Sequence, residues 1–520
     1  MLIPFILEKA MSLYADKEAV VCGQNRFTYR DFYKRVSGLS NFLKSQGIGK
    51  GDCIAVLLQN THEFLETYYA AAVIGAILNP LNIRLSAKEL AVILNDSGAK
   101  MLITAPGFYE TVKKLKDLGC SVKKILWTGD DKKTDLFESF VYEDVIKIKY
   151  DRMPNVPDMP DSETAHLYYT SGTTGKPKGV MLSHKNVCTH SLAAIAELHL
   201  TDRDRWIHAA PLFHLADAWA AFAVTWTGGK HVLIPEFNPP EVLNLIENEK
   251  ITITNMIPTM LNMLVNTKGS ESIDFSSLRV ILSGGSSIAP DVVRSIMDVF
   301  GCDYIQTYGM TETSPYLTVS ILKENLRDLP SENQFVYKAR TGRPFLGVLL
   351  KVVRDDGTEV ENNDKEVGEI IVKGDNVTAG YWNRPKETAD AIKNGWLYTG
   401  DLAVIDKEGY VNIVDRKKDM IITGGENVYS VEVENVLYSH PAVLEAMVIG
   451  IPDTKWGETV KGVVVLKEGY TATEEEIISY CREQIAAYKT PKSIDFMKEL
   501  PRTGSGKLYK KALKEFYKKQ

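Results

Sequence analysis

The sequence contains few cysteines, and none of them are closely spaced. Its 520 residues include six cysteines and no C-x-x-C pair, so neither a zinc ribbon nor the disulfide framework of a small secreted domain is expected. The nine histidines also lack the H-E-x-x-H spacing of zinc enzymes. Free thiols predict a reducing compartment, and we expect the cytoplasm. The cysteines are Cys22, Cys53, Cys120, Cys188, Cys302 and Cys481.

The sequence also lacks a long apolar run and an excess of basic charge. The longest weakly polar stretch, residues 68–82, is shorter than the roughly 20 residues of a membrane-spanning helix and contains Pro80. We therefore predict no integral membrane segment. No basic segment precedes the first apolar residues, so a secretory signal is not predicted either. The net charge of −6 argues against a nucleic-acid ligand. With 44% hydrophobic and 25% charged residues, the composition is typical of a folded globular protein.

Apolar segments of strand length and helix length alternate along the first two thirds of the chain. Residues 52–59 (DCIAVLLQ) predict a buried strand, residues 61–77 a helix, and residues 99–104 another strand. The same alternation recurs at residues 229–251 and from residue 278 onward. This pattern is typical of α/β layers with mainly parallel sheets.

The pattern changes after about residue 345, where short strands flank Asp-Gly and other polar turns. The last hundred residues predict a separate small α+β set, in which Thr473 and Glu476 form a capping box at the start of a helix. We place the boundary at the charged stretch VDRKKDM. The fold prediction is therefore a large α/β domain over residues 1–417 and a smaller α+β domain over residues 418–520.

Residues 168–184, YYTSGTTGKPKGVMLSH, are rich in glycine, serine and threonine, as expected of a loop that binds phosphate. The common phosphate loop reads G-x-x-x-x-G-K-[ST]. Here Thr170 stands where the first glycine belongs, and Pro177 stands where the final hydroxyl residue belongs. We therefore predict that the loop binds phosphate with its glycine, hydroxyl and lysine residues in an order different from that of the common phosphate loop. Taken alone, the loop leaves open a P-loop-type ATPase or an ordinary polar surface loop.

Further motifs occur along the chain: PLFH (211–214), SGGSSI (283–288), YGMTET (308–313), YTGD (398–401), VDRKKDMIITGGENV (414–428) and PRTGSGK (501–507). Together with the loop, and in this order, they resemble the adenylate-forming superfamily of acyl-CoA synthetases. The resemblance implies a multi-part N-terminal α/β domain, a mobile C-terminal lid, and a ligase that uses ATP, Mg²⁺ and coenzyme A. Such a ligase converts a carboxylic acid to acyl-AMP and then to acyl-CoA.

The resemblance also implies roles for individual residues in nucleotide binding. Tyr308 would stack on adenine, Thr311 would contact the α-phosphate and Glu312 would bind Mg²⁺. Asp401 and Arg416 would hold the ribose. The phosphate loop and the adenine loop contribute Thr170, Ser171, Gly172, Thr173, Thr174, Gly175, Lys176, Gly284, Gly285 and Ser286.

Other residues are implied in catalysis and in the second step. Lys507 would join the attacking carboxylate to the α-phosphate, and His214 would lie between the acyl and thiol routes. Lys418 would be the hinge of the lid. Coenzyme A would meet Gly424, Gly425 and Trp456. An acyl pocket would be lined by His214, Leu215, Trp219, Met256 and Gly309.

Leu215 bears on the substrate, because amino-acid-activating relatives carry an aspartate near this position. The sequence therefore argues against an α-amino acid, although Asp217 lies two residues further on. An apolar pocket suits a fatty acyl tail or an aryl ring and leaves the chain length open. Residues 79–100 (NPLNIRLSAKELAVILNDSGAK) resemble short- and medium-chain fatty acyl-CoA synthetases, which implies a short- to medium-chain fatty acid and a place in fatty acid metabolism. The alternatives are an aryl-CoA ligase of the benzoate or cinnamate type, a P-loop-type ATPase and a non-catalytic nucleotide-binding protein. The oligomeric state stays open, with a homodimer among the options.

Overall fold

A computed structural model describes residues 1–129, 136–148, 152–170, 177–286, 288–502 and 508–517. Contacts between residues divide the chain into two units. The first contains Met1–Leu349 and Lys373–Leu397, and the second contains Leu350–Val372 and Tyr398–Gln520.

The first unit contains a sheet of nine strands. Its six central strands are parallel, and antiparallel strands lie at both edges. In sheet order the strands are Arg343–Pro344, Tyr316–Val319, Asp303–Gly309, Val280–Gly284, Ile253–Asn255, Arg205–His208, Lys230–Leu233, Glu18–Cys22 and Asn25–Thr28.

A second sheet of seven strands belongs to the same unit. All its neighbours are parallel except the last pair, an antiparallel hairpin. In sheet order the strands are Glu138–Val141, Lys124–Trp127, Met101–Thr104, Cys53–Leu57, Ile77–Pro80, Thr164–Thr170 and Lys178–Ser183.

Helices connect these strands, and many begin at a residue that favours a helix start. Thr28, Ser86 and Ser183 each form a capping box, which satisfies amide groups that lack a partner within the helix. The α-helices are Pro4–Tyr14, Tyr29–Ser45, His62–Val73, Ala87–Ser97, Tyr109–Asp117, Tyr142–Ile146, His184–Glu197, Leu215–Ala218, Ala220–Thr227, Pro239–Asn248, Pro258–Val265, Pro290–Phe300, Glu324–Arg327, Ser331–Ala339 and Pro385–Ala391. Short 3₁₀ helices span Pro106–Phe108, Ser270–Ser272 and Thr311–Thr313.

One large hydrophobic core of described residues contains members from both sheets. Val20 and Leu233 of the nine-stranded sheet belong to the same buried cluster as Val56 and Leu78 of the seven-stranded sheet. Helices such as His62–Val73 contribute further members, including Tyr69. The prediction of an α/β fold with mainly parallel sheets is confirmed.

The second unit contains two further sheets and, among its described residues, three helices. Leu349–Val353, Gly368–Lys373 and Trp396–Ile405 lie in this order in one sheet, where Val411–Arg416 pairs antiparallel with Trp396–Ile405. The other sheet contains Glu426–Val428, Ile421–Thr423, Gly457–Leu466 and Val443–Asp453, with Ser493–Phe496 beside Gly457–Leu466. The helices are Ser430–Ser439, Glu474–Gln484 and Lys510–Tyr517, and the predicted capping box of Thr473 and Glu476 is present.

By residue contacts, the two units divide at residues 349/350, 372/373 and 397/398. Oδ2 of Asp415 accepts hydrogen bonds from the Ser430 amide at 2.5 Å and the Ser430 hydroxyl at 2.7 Å. These bonds connect strand Val411–Arg416 to the helix Ser430–Ser439, and both elements belong to the second unit. A domain boundary at residues 417/418 and a lid that moves there stay predictions.

Two features concern the predicted compartment. All six cysteines are buried free thiols. Among the described helices, none combines the length and the apolar composition needed to cross a membrane.

Candidate active site

Two neighbouring parallel strands of the nine-stranded sheet end in the motifs SGGSSI and YGMTET. Gly284 pairs with Thr307 where strand Val280–Gly284 runs beside Asp303–Gly309. A Cβ at Gly284 would lie 2.5 Å from Thr307 Oγ1 and 2.6 Å from Thr307 O, so only glycine fits. Gly285 has a φ of +89°, which also favours glycine. Ligands of open α/β sheets bind at such carboxyl ends of strands.

The segment that follows, from Tyr308 to Glu312, is tightly packed. A Cβ at Gly309 would overlap the carbonyl oxygen of Pro315. Tyr308 is half-buried. The Gln306 side-chain amide donates to the Ser286 carbonyl at 2.8 Å, which holds the segment after strand Val280–Gly284 against strand Asp303–Gly309. The structure thus brings Gly284, Ser286 and Tyr308 to one end of the sheet.

Glu312 is buried, with only 7% of its surface exposed. The Tyr381 hydroxyl donates to Glu312 Oε1 at 2.9 Å, and the Thr378 amide donates to the Glu312 carbonyl at 2.7 Å. Burial and the neighbouring carboxylate raise the pKa of Tyr381, so its hydroxyl keeps the proton that it donates. Glu312 is therefore held in place by the segment around residue 380.

The same segment contacts the strand that leaves the phosphate loop. Thr170 pairs with Lys178 across the hairpin, and Val180 forms a bridge with Tyr381. The ammonium of Lys178 lies 5.2 Å from the centre of the Tyr381 ring. The predicted phosphate ligands Ser171, Gly172, Thr173, Thr174, Gly175 and Lys176 lie outside the described residues. The ends of their loop, however, are placed close to Glu312.

The donor set near Glu312 fits Mg²⁺. Hard oxygen ligands suit this ion, which in nucleotide sites is bound by one or two carboxylates together with phosphate oxygens. Within the described ranges, no group of three histidine, cysteine or acidic side chains could hold a metal by itself. A single buried carboxylate beside a phosphate loop is the arrangement that suits Mg²⁺ bound with ATP.

His214 precedes the short helix Leu215–Ala218, and Asp217 within that helix lies inside the protein. Asp217 is fully buried; it accepts from the Trp206 indole at 3.0 Å and lies 2.6 Å from His208 Nδ1. His208 Nε2 in turn lies 2.9 Å from His231, whose pKa is lowered by burial and by His208. Both carboxylate oxygens of Asp217 thus have internal partners, which removes it as a ligand for a substrate amine.

Trp219 belongs to a buried aromatic cluster. Its indole nitrogen donates to the Tyr316 hydroxyl at 3.0 Å, and its ring meets Trp206 edge-on at 5.1 Å. Of the other predicted pocket residues, Leu215 and Met256 are buried, whereas His214 and Gly309 are half-buried. The side chains assigned to an acyl pocket are therefore apolar or aromatic.

In the second unit, the structure pairs Asp401 with Arg416. The two residues lie opposite each other on antiparallel strands, and Arg416 Nε is 2.9 Å from Asp401 Oδ1. Asp401 is buried, whereas the Arg416 side chain is 53% exposed. The predicted ribose ligands are thus neighbours.

The residues predicted to meet coenzyme A are also neighbours. Gly424 and Gly425 form a turn with φ of +60° and +86°, and the Gly424 amide donates to the Trp456 carbonyl at 2.8 Å. Trp456 is half exposed. Lys418 is an exposed residue in a turn after strand Val411–Arg416. Lys507 lies outside the described residues.

Comparison with known proteins assigns the family. The sequence model of the family described as AMP-binding enzyme matches residues 7–382. The sequence model of the AMP-binding enzyme C-terminal domain matches residues 432–507. The chain belongs to the AMP-binding enzyme family. The resemblance to adenylate-forming acyl-CoA synthetases is therefore confirmed, and the protein is an AMP-forming acid–CoA ligase.

Relatives of this AMP-binding enzyme act on different acids. The chain is 37% identical to a feruloyl-CoA synthase of Amycolatopsis, covering 95% of this chain and 94% of the relative. It is 36% identical to a long-chain-fatty-acid–CoA ligase of Thermus thermophilus, covering 98% and 95%. The structure is similar to the o-succinylbenzoate CoA synthetase of Bacillus subtilis with its acyl-adenylate intermediate, with a TM-score of 0.84, 32% identity, and 98% and 97% coverage.

Sequence reasoning missed one residue of this AMP-binding enzyme that contacts the site, Tyr381. It lies 69 residues from Glu312 along the chain. Its surroundings, GYWNRP at residues 380–385, contain no charged pair or glycine-rich loop that would mark it. Only the three-dimensional structure places its hydroxyl on Glu312.

Proposed function

We propose that the protein activates a short- to medium-chain fatty acid in two steps. In the first, a carboxylate oxygen attacks the α-phosphorus of ATP; the new P–O bond gives acyl-AMP, and pyrophosphate leaves. In the second, the thiol sulfur of coenzyme A attacks the acyl carbon, AMP leaves, and the thiol proton is released. ATP, Mg²⁺ and coenzyme A are used by this family.

The placement of Glu312 is the observation that carries the proposal. It is a buried carboxylate at the carboxyl end of a parallel sheet, and Tyr381 connects it to the strand that leaves the phosphate loop. Mg²⁺ bound there would neutralise charge on the phosphates. In the proposed site, Glu312 would hold the metal, Thr311 would contact the α-phosphate, and Tyr308 would lie beside adenine. Asp401 and Arg416 would bind ribose, and Lys507 would serve the reacting groups of the first step.

Two observations support an apolar acid without an α-amine. The carboxylate of Asp217 is occupied by Trp206 and His208, so it does not offer a counter-charge for an amine. Trp219, which we assign to the acyl pocket, lies among buried aromatic rings, so the proposed pocket is apolar and suits an apolar acyl group.

An aryl acid is the second candidate. Aromatic rings stack favourably on the faces and edges of other rings, and Trp219 and Tyr316 lie together at the proposed pocket. The feruloyl-CoA synthase relative also favours this class.

A panel of acids with ATP, Mg²⁺ and coenzyme A tests the proposal. Pyrophosphate, AMP and thioester should form in equal amounts, with hexanoate or octanoate giving the highest kcat/KM. Higher values for benzoate or ferulate would establish the aryl alternative, and higher values for palmitate would contradict the short-chain assignment. Stoichiometric ADP in place of AMP would contradict both.

Two further parts of the proposal concern motion and location. We infer that residues 418–520 rotate about Lys418 between the steps, because Lys507 is needed only in the first. The buried free thiols support a reducing compartment, for which we propose the cytoplasm. A homodimer remains one option for the assembly.

A further inference from the structure

Two buried tyrosine hydroxyls connect separate parts of the first unit. Tyr68 donates to the Leu212 carbonyl at 2.7 Å, and its oxygen lies 2.6 Å from the Tyr168 oxygen. A phenol has one proton, so Tyr168 must donate to Tyr68. Tyr68 and Tyr168 are 0% and 3% exposed. The result is a chain of two hydrogen bonds from Tyr168 through Tyr68 to Leu212.

One end of this chain is the PLFH segment. Leu212 lies two residues before His214. Its amide donates to Asn60 Oδ1 at 2.8 Å, and the Asn60 side-chain amide donates to the carbonyls of His208 and Ala210 at 3.0 and 2.8 Å. Asn60 precedes the helix His62–Val73 that carries Tyr68. Asn60 and Tyr68 together therefore fix residues 208–212 through four hydrogen bonds.

The other end is the strand that enters the phosphate loop. Tyr168 lies on Thr164–Thr170, two residues before Thr170. It pairs with Val180 on the strand that leaves the loop. The Tyr68 hydroxyl is thus a hydrogen-bonded link between the PLFH segment and the strand that enters the phosphate loop.

We propose that Tyr68 is a positioning residue for adenylation, which sets the acyl segment relative to the phosphate loop; this inference rests on the proposed function. The first step joins a carboxylate to a triphosphate, so it depends on the distance between their two binding segments. A misplacement of about 1 Å can cost roughly 10²-fold in rate. The second step no longer involves the triphosphate and should depend less on this link.

Four variants test the inference: Tyr68→Phe, Tyr168→Phe, the double variant, and Tyr69→Phe as a matched control. Tyr69 is the adjacent residue, is equally buried, and donates to the Ala221 carbonyl at 2.8 Å. Each change removes one buried hydroxyl. Only the first three break the chain between Leu212 and Tyr168.

For Tyr68→Phe we expect kcat of acyl-AMP formation to fall about 10-fold or more, with KM for ATP changed by less than about 2-fold. Thioester formation from supplied acyl-AMP should stay within about 2-fold of wild type. Tyr168→Phe keeps the bond from Tyr68 to Leu212 and should have a smaller effect. The double variant should be no slower than Tyr68→Phe, because the second hydroxyl has already lost its acceptor.

The outcomes separate this inference from the proposed function. If wild type and Tyr69→Phe release no pyrophosphate with any acid of the panel, both the proposed function and this inference are overturned. If wild type is active but Tyr68→Phe behaves like Tyr69→Phe, or loses both half-reactions equally, only this inference is overturned. Additive losses in the double variant would also contradict it.

Discussion

The Tyr381 hydroxyl donates a hydrogen bond of 2.9 Å to Glu312, and the Tyr381 backbone forms a bridge with Val180 beside the phosphate loop. Tyr381→Phe removes the hydroxyl and keeps the ring. Because residues that orient a metal ligand typically contribute about 10- to 100-fold in affinity or activity, we expect at least a 10-fold higher Mg²⁺ concentration for half-maximal pyrophosphate release. A magnesium titration at saturating ATP and acid measures this, and EDTA should stop the reaction in both proteins.

Tyr142→Phe is the matched control for Tyr381→Phe. Tyr142 is a buried tyrosine that donates to Glu66 at 2.7 Å, a carboxylate to which we assign no role in the reaction. The Tyr142→Phe variant should be less stable than wild type but should need the same Mg²⁺ concentration for half-maximal pyrophosphate release. Equal magnesium requirements in Tyr381→Phe and wild type would show that Tyr381 does not orient a metal ligand.

His166 should make the folded state sensitive to acid. It is fully buried beside Tyr68 and Phe222, and neither ring nitrogen has a hydrogen-bond partner among the described residues. Burial lowers its pKa from 6.5 to about 3. Between these values the unfolded chain binds a proton that the folded protein does not, so stability is present above pH 6.5 and falls as the pH is lowered.

His166→Phe should remove this dependence. In wild type, each pH unit below 6.5 costs about 1.4 kcal/mol of stability through His166. Between pH 7 and pH 5, we therefore expect the free energy of unfolding of wild type to fall by about 2 kcal/mol more than that of His166→Phe. Urea unfolding at the two pH values measures the difference. His199→Asn, at an exposed histidine, is the control and should leave the slope as in wild type. An unchanged slope in His166→Phe would contradict the prediction.

The local elements were predictable from the sequence, because their signals lie within a few residues. Strand Cys53–Leu57 is a run of buried apolar residues, and Thr473 with Glu476 marks the start of a helix. The order of strands was not predictable. Glu18–Cys22 pairs with Lys230–Leu233, more than two hundred residues away, and no local pattern specifies that partner.

In the candidate site, too, local motifs were predictable from the sequence and contacts formed by the fold were not. Motifs identified Glu312, Asp401 and Arg416 as candidates, because each lies in a short contiguous pattern. The internal role of Asp217 could not be read from the sequence, since its partners His208 and Trp206 lie on a neighbouring strand. These contacts span only 11 and 9 residues, but they depend on how the tertiary fold turns the helix back onto the strand, which a local pattern does not encode.

Lys507→Ala should separate the two half-reactions. The resemblance places this lysine at the reacting groups of the first step only, so we expect acyl-AMP formation to fall about 10²-fold, or about 3 kcal/mol in the barrier. Thioester formation from supplied acyl-AMP should remain close to wild type. Lys511→Ala is the control, because Lys511 is a nearby exposed lysine of the terminal helix. Equal damage to both steps would contradict the assigned role.

Lys418→Pro should affect the opposite half-reaction. A hinge residue absorbs a large change in φ and ψ, and proline fixes φ near −65° and removes the amide hydrogen. If residues 418–520 rotate about Lys418, the variant should retain acyl-AMP formation and lose most thioester formation.

Lys418→Ala is the matched control, since it removes the same charge and leaves the backbone free to rotate. It should support both steps at rates near wild type, measured with the acid and ATP for the first and with supplied acyl-AMP and coenzyme A for the second. Proline could instead only disturb the turn between Arg416 and Asp419, where the Asp419 amide donates to the Arg416 carbonyl at 2.8 Å. That explanation predicts parallel losses in both steps and a lower melting temperature, whereas a hinge predicts loss of the second step alone.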